Sequence, residues 1–324
     1  PDDGYSKPFP LMITVAGLFY LWLGLWCLNR FLESFDIDEW VRFIVILAFA
    51  FGTHLFNYSI VNPGMSHVYS FALVCMFLML GRQFFSSESR GVLISLALVL
   101  GLICLVRPIN GIVFLCLPFV AGSWDVFKTG SKRLINNWRG LLISCFLFLS
   151  VVSFQLLLYK IQTGKFWVSS YGQEGFNWFD PQMIDILFSY KKGLFVYTPM
   201  LLLGMFGLKF IWNKNRFQAV TLISFLFVVV YVLSSWWSWW YGGSFSGRAF
   251  VEYLPFFVVP LAFLIQEASS KIRLAVLTLM FVFLALNQFQ TYQYRYYIIH
   301  WDSMDKDRYW DVFLSLDKPG SEHH

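Results

Sequence analysis

The sequence predicts an all-α polytopic membrane protein of about ten transmembrane helices joined by loops. Three observations lead there. The 324 residues are 58% hydrophobic and 21% aromatic but only 13% charged, with a mean hydropathy of +0.60, whereas a soluble domain carries roughly 25% charged residues. Apolar runs of about 20 residues, enough to cross a bilayer core as a helix, recur along the whole chain. Lys and Arg concentrate in alternate short loops, the pattern of a cytoplasmic face. The net charge of +5 therefore reflects loop chemistry, and no nucleic-acid partner is expected.

In chain order the apolar runs place spans at 9–29, 41–58 and 67–81, each closed by a charged or turn-forming break. The next run, 91–122, is interrupted only by Arg107-Pro108-Ile109-Asn110. As one helix it would extend roughly 46 Å at 1.5 Å per residue, too long for a single crossing without strong tilt. Two short spans, 91–106 and 109–122, are expected instead, meeting at the Arg-Pro turn. Spans at 140–159, 197–212, 217–234, 251–266 and 272–288 complete the set. Residues 1–290 then form the membrane domain, and 291–324 an aromatic tail on the outer face. Cys27, Cys75, Cys104, Cys116 and Cys145 all fall inside apolar runs without CxxC spacing, and are expected to be small buried hydrophobes.

With this topology the loops 30–42, 82–90, 123–139, 208–216 and 267–273 share one side and hold most of the basic residues outside the candidate site. The opposite side collects the polar residues that a bundle does not need for packing. These include the turn carrying His54, Asn57, Asn62 and His67, the pair Arg107 and Asn110, and the long loop 161–196. The stretch SSWWSWWYGGSFSGRAFVEYLP, residues 234–255, belongs to the same side. Its tryptophans fit either an aromatic belt with a snorkelling arginine or one wall of an outward-facing site with Arg248 as anion ligand.

Several residues are candidates for such a site. Arg107, beside Pro108 at a helix junction, needs an anion or several carbonyl acceptors, and phosphate suits its planar guanidinium. Lys191 and Lys192, outside and just before a span, run against the charge bias and suit an anionic ligand or lipid headgroup. A solvated surface pair is the alternative. His54 and His67 bracket a short polar turn and suit a phosphate or sugar hydroxyl, or are satisfied interfacial histidines. Asp180-Pro181 predicts a helix start, with Asp180 as N-cap and Pro181 at the first helical position, while Glu174 between glycines has no such structural explanation. His300 and Asp302 are the tail's candidates for the same site.

The ordered set GTHLFNYSIVNPGMSHVYSF, LVRPIN, GFNWFDPQMIDILFSYKKGLFVYTP and WWSWWYGGSFSGRAFVEYLP, followed by the Gln- and Tyr-rich tail, resembles bacterial membrane glycosyltransferases of the GT-C superfamily. It is similar to the protein O-mannosyltransferase and lipid A aminoarabinose transferase type. The resemblance implies a GT-C-like fold and a polyprenyl-phosphate-linked sugar as donor substrate. It also implies inverting transfer on the outer face of the bacterial inner membrane. Arg107, Arg248, Lys191 and Lys192 would bind the donor phosphate. His54, Asn57, His67, Asn110, Glu174, Tyr197, Trp239, Trp240 and Tyr241 would line the donor and acceptor.

The family places its catalytic acid in the first outer loop, after a first helix. Here that helix and most of that loop are expected to lie before Pro1 or on a partner chain, with Asp2 and Asp3 the acidic residues left in the region. SFSGR also departs slightly from the FGxR-like form of the family. No metal is specified by the sequence. A flippase for a lipid-linked saccharide and a non-catalytic subunit of an envelope complex are the rival expectations. The near absence of mid-span charges and of visible repeats weighs against the first.

Overall fold

The computed structural model describes residues 6–87, 89–168 and 174–317, and these fold as an all-α membrane protein. In order the helices are α1 (Pro8–Glu33), α2 (Glu39–Gly52), α3 (His67–Ser86), α4 (Arg90–Val106), α5 (Leu117–Ala121), α6 (Trp124–Asn136), α7 (Trp138–Thr163) and α8 (Met183–Phe188). They continue as α9 (Leu194–Tyr197), α10 (Pro199–Met205), α11 (Leu208–Lys214), α12 (Arg216–Ser234), α13 (Pro255–Glu267), α14 (Ser270–Arg295) and α15 (Lys306–Asp311). Among the described residues five helices, α1, α3, α7, α12 and α14, are long and apolar enough to cross a membrane.

Every apolar run of the sequence meets a helix, but not every run is one long helix. The run 41–58 stops at Gly52 and continues as a π-helical turn, Asn57–Val61. The run 91–122 breaks at Arg107, whose backbone is extended, and resumes as a 3₁₀ segment, Pro108–Cys116, that brings Gly111 back beside Cys104. That break is where Pro108 lacks the amide a continuous helix would need. The run 197–212 is cut into α9, α10 and α11, and 251–266 begins as a 3₁₀ segment, Arg248–Tyr253.

α13 forms the axis of the bundle. Pro255 to Ile265 are all buried, as expected of a helix that is apolar on every side. Gly204 and Gly207 let the α10–α11 junction lie against it. A Cβ on Gly204 would stand 2.7 Å from the Phe257 carbonyl, and one on Gly207 would overlap that of Pro260. α1 packs along α3 in the same way, with Gly24 against Phe71. Small residues at such crossings let helices meet by dispersion where lipid supplies no hydrophobic drive. α7 rests on α4 and is otherwise open, only 6% of its apolar window being buried. Hence Cys145 on α7 is exposed and Cys104 half-buried, against the expectation that all five thiols are enclosed. Apolar helix faces here also meet lipid.

The basic loops share one end of the bundle. Arg82 donates to the carbonyls of Ser34 and Val120, Asn215 to that of Gly122, and Arg273 to those of Ile265 and Gln266. Gln266 is in turn bonded to Asp36 and Asp38. The other end gathers the polar turn, the Arg107 junction, the tryptophan stretch and the tail.

Candidate functional site

The 3₁₀ segment Arg248–Tyr253 joins the tryptophan stretch to α13. Side chains repeat every third residue in this geometry, so Arg248 and Glu252 face different ways. Glu252 is fully buried. Its Oε1 accepts from Arg107 Nη1 at 3.0 Å and from Asn110 Nδ2 at 3.3 Å, and lies 3.1 Å from His67 Nδ1. Arg107 Nη1 is also 2.7 Å from His67 Nδ1. The imidazole nitrogen therefore either donates to the carboxylate or accepts from the guanidinium, depending on tautomer. Asn110 extends the cluster by donating to Ser70 Oγ at 2.8 Å and accepting from Tyr253 at 3.0 Å. Arg107 thus has an internal anion, and among the described residues its side-chain bonds run through Nη1 alone.

Arg248 is different. It is half-buried, and among the described residues its one contact of hydrogen-bond type is to Met65 Sδ at 4.0 Å, with no carboxylate in ion-pair range. It lies within electrostatic range of Tyr58, Lys192, Tyr241 and Tyr294. On the other side of Met65 a cavity of about 320 Å³ is lined by Tyr58, Asn62, Met65, Tyr294, Arg295 and Trp301, among others.

Lys192 closes the wall of that cavity. Its buried ammonium donates to the carbonyls of Ser244 and, at 2.6 Å, Trp301, tying the tryptophan loop to the tail. Burial pushes its pKa down to about 7, opposed by Asp302 and reinforced by the charges of Arg248 and Lys191. Lys191 stands 3.8 Å above the Trp240 ring and 3.9 Å from Asp302 Oδ1, a long ion pair that leaves it partly exposed.

The loop 174–182 is stitched to the tryptophan stretch through Asn177 N to Ser235 O, Gln182 N to Ser234 O and Trp237 N to Gly175 O. Tyr241, Gly242 and Ser246 take left-handed backbone conformations that fold the stretch over the cavity. Tyr58 clamps it by bonding both the amide and the carbonyl of Phe245 at 2.9 Å. Trp239 packs on the main core, edge-on to Trp240, and Tyr241 donates to the Leu233 carbonyl.

His54 and Asn57 sit behind the wall, both fully buried. His54 Nδ1 meets Thr198 Oγ1 at 3.0 Å, and Thr198 meets Ser246 at 3.2 Å, while His54 Nε2 and Asn57 Nδ2 are unpartnered. Tyr197, also buried, sits edge-on to Phe245 and Tyr309 and donates to the Tyr190 carbonyl, so it supports the wall and does not face the cavity. Glu174 is exposed and makes no side-chain hydrogen bond or ion pair among the described residues. Asp2 and Asp3 lie outside the described residues.

Two expectations change in detail. α8 starts at Met183 with Gln182 at its cap, so Asp180 is not the N-cap. Gln182 instead bonds back to the Asp180 carbonyl. His300 closes a turn by accepting from the amides of Asp302 and Ser303. Sequence reasoning passed over Glu252, Thr198, Ser246, Tyr294 and Trp301. Glu252 carried a usable signal, a single carboxylate within the apolar stretch AFVEYLPFFVVP, where a buried charge demands a partner. No protein-family model, curated protein or solved structure matches this chain.

Proposed function

We propose that this chain is a GT-C-like glycosyltransferase of the bacterial inner membrane. It takes a sugar from a polyprenyl-phosphate donor and passes it to an acceptor on the outer face. The observation that carries this is Arg248, a half-buried guanidinium with no carboxylate in ion-pair range among the described residues, near an aromatic-lined cavity. A cation in such a place suits an anionic ligand, and a phosphate on a lipid fits both the charge and the apolar surroundings. Tyr294 and Trp301, which line the cavity, offer rings to a sugar or to the first isoprene units.

In the transfer the bond from the sugar anomeric carbon to the phosphate oxygen breaks and a bond to the acceptor oxygen forms. The acceptor proton goes to a carboxylate base, which the family resemblance assigns to the first outer loop. Polyprenyl phosphate leaves with the bonding electron pair, its charge held by Arg248 and assisted by Arg107, Lys191 and Lys192.

The test incubates purified protein with radiolabelled polyprenyl-phosphate sugars and measures release of polyprenyl phosphate. Arg248→Ala should abolish turnover while leaving the melting temperature in detergent unchanged within about 2 °C, as expected of a side chain with little bonding to lose. Turnover by that variant at the wild-type rate refutes the assignment. Movement of intact lipid-linked sugar across sealed vesicles, without cleavage, would replace it by a flippase.

A further inference from the structure

Glu252 is a poor stabilising device. It is fully buried, and among the described residues one of its oxygens takes every side-chain hydrogen bond while Oε2 has no hydrogen-bond partner. Burying an ion pair this way is on balance close to neutral for stability or unfavourable, because desolvation opposes the attraction. Its effect on Arg107 is specific, however. All the side-chain bonds of Arg107 run through Nη1, its side chain keeps 19% exposure, and Nε and Nη2 have no partner among the described residues. The residue sits on an extended backbone at the α4 break, where a long side chain without an anchor would sample many rotamers.

The anchors come from three separate segments. Glu252 belongs to the segment that also carries Arg248, His67 opens α3, and Asn110 follows the break itself. Tyr241, at the fold of the tryptophan stretch, lies within electrostatic range of Arg107, Glu252 and Arg248.

We propose that Glu252 is a positioning residue: itself held by Asn110, it fixes Arg107 by Nη1 together with His67, so that Nε and Nη2 are presented as a preorganised fork to the ligand anion. This rests on the anion-binding function proposed above. Two parallel N–H donors match two oxygens of a phosphate, and holding the fork in place removes an ordering cost from binding. Arg248 supplies a charge that no described carboxylate pairs, and Arg107 the oriented donors.

Two readouts test the assignment. The first is the ¹⁵N spectrum of the Arg107 guanidinium in detergent, identified by its loss in Arg107→Lys. A pinned Nη1 gives separate Nη resonances in the wild type, which merge in Glu252→Gln as rotation is freed. The second is farnesyl phosphate binding, followed by tryptophan fluorescence. Glu252→Gln should weaken it at least tenfold, and Glu252→Gln added to Arg107→Ala should bring no further loss. Because Glu252→Gln leaves a buried guanidinium unpaired, the double variant Arg107→Gln/Glu252→Gln serves as control, recovering the wild-type melting temperature but not binding. Merged Nη resonances in the wild type, unchanged affinity in Glu252→Gln, or additive losses would each overturn the proposal. If wild-type protein fails to bind farnesyl phosphate, the anion-binding function falls, and the Nη resonances still decide whether Glu252 holds Arg107.

Discussion

Replacing Tyr58 by Phe removes a single oxygen from the protein and should be felt at two places in the backbone. The hydroxyl accepts from the Phe245 amide and donates to the Phe245 carbonyl, each at 2.9 Å, and both residues are 1% exposed. Without it neither group has water to turn to. A buried backbone group left unpaired costs about 1–3 kcal/mol, so the pair should cost about 3 kcal/mol after partial relaxation. At about 2–4 °C per kcal/mol for a chain approaching this size, the melting temperature should fall by on the order of 6–12 °C. The assay is a thermal melt in detergent at fixed heating rate. Tyr69→Phe is the matched control, since that partly exposed hydroxyl makes one bond, to the Pro63 carbonyl at 3.0 Å, and should shift the melt by no more than about 2 °C. The variant should also bind farnesyl phosphate more weakly, because the freed loop includes Ser244 of the cavity wall. Equal melting of the two variants would refute the view that Tyr58 holds the tryptophan stretch in place.

Lys192 gives a pH dependence of definite sign. Its pKa is depressed to about 7 in the folded protein from 10.5 when unfolded. Between those values the unfolded chain holds the extra proton, so its contribution to stability rises with pH from about 7 to 10.5 and is flat outside that window. Lys192→Met should flatten that part of the stability–pH profile, and an unchanged slope would count against the buried ammonium. Gly207→Ala puts a methyl group onto the Pro260 carbonyl. It should cost at least about 1–3 kcal/mol by overpacking and lower the yield of folded protein, so wild-type yield would contradict the close crossing of α11 and α13. A photoactivated carbene reagent dissolved in the lipid phase should label Leu149 on α7, which is 61% exposed, and spare Phe77 on α3, which is fully buried. Equal labelling would contradict the placement of α7 at the lipid boundary.

The sequence made legible what depends on local pattern. Apolar runs located the helices, and charge density separated the two ends, because both are written in consecutive residues. The break at Arg107 was readable for the same reason, since Pro108 acts on its own neighbours. What escaped were partnerships set by tertiary contact. Arg107 is 145 residues from Glu252, and Tyr58 is 187 from Phe245, so neither pairing leaves a periodic trace. Site residues on the wall, such as Tyr197 and His54, were recognisable as unusual but not as facing inward or outward. The broken helices α9 to α11 were read as one span because hydropathy does not register the backbone turns between them. Asp180 misled because an Asp-Pro pair favours a helix start, while the bond from Gln182 to the Ser234 carbonyl fixed the start further on.

The enclosure of α13 bears on how the protein would respond to its membrane. Its residues from Pro255 to Ile265 touch only protein, whereas α1, α7 and α14 present most of their apolar surface outward. A thicker or thinner bilayer acts on the outward helices through tilt and local adjustment of lipid. Glu252 and Arg248 are continuous with α13, whose stretch Pro255–Ile265 is enclosed by protein. That wall of the site is shielded from changes in bilayer thickness, whereas Tyr294 rides on the outward helix α14 and follows its tilt.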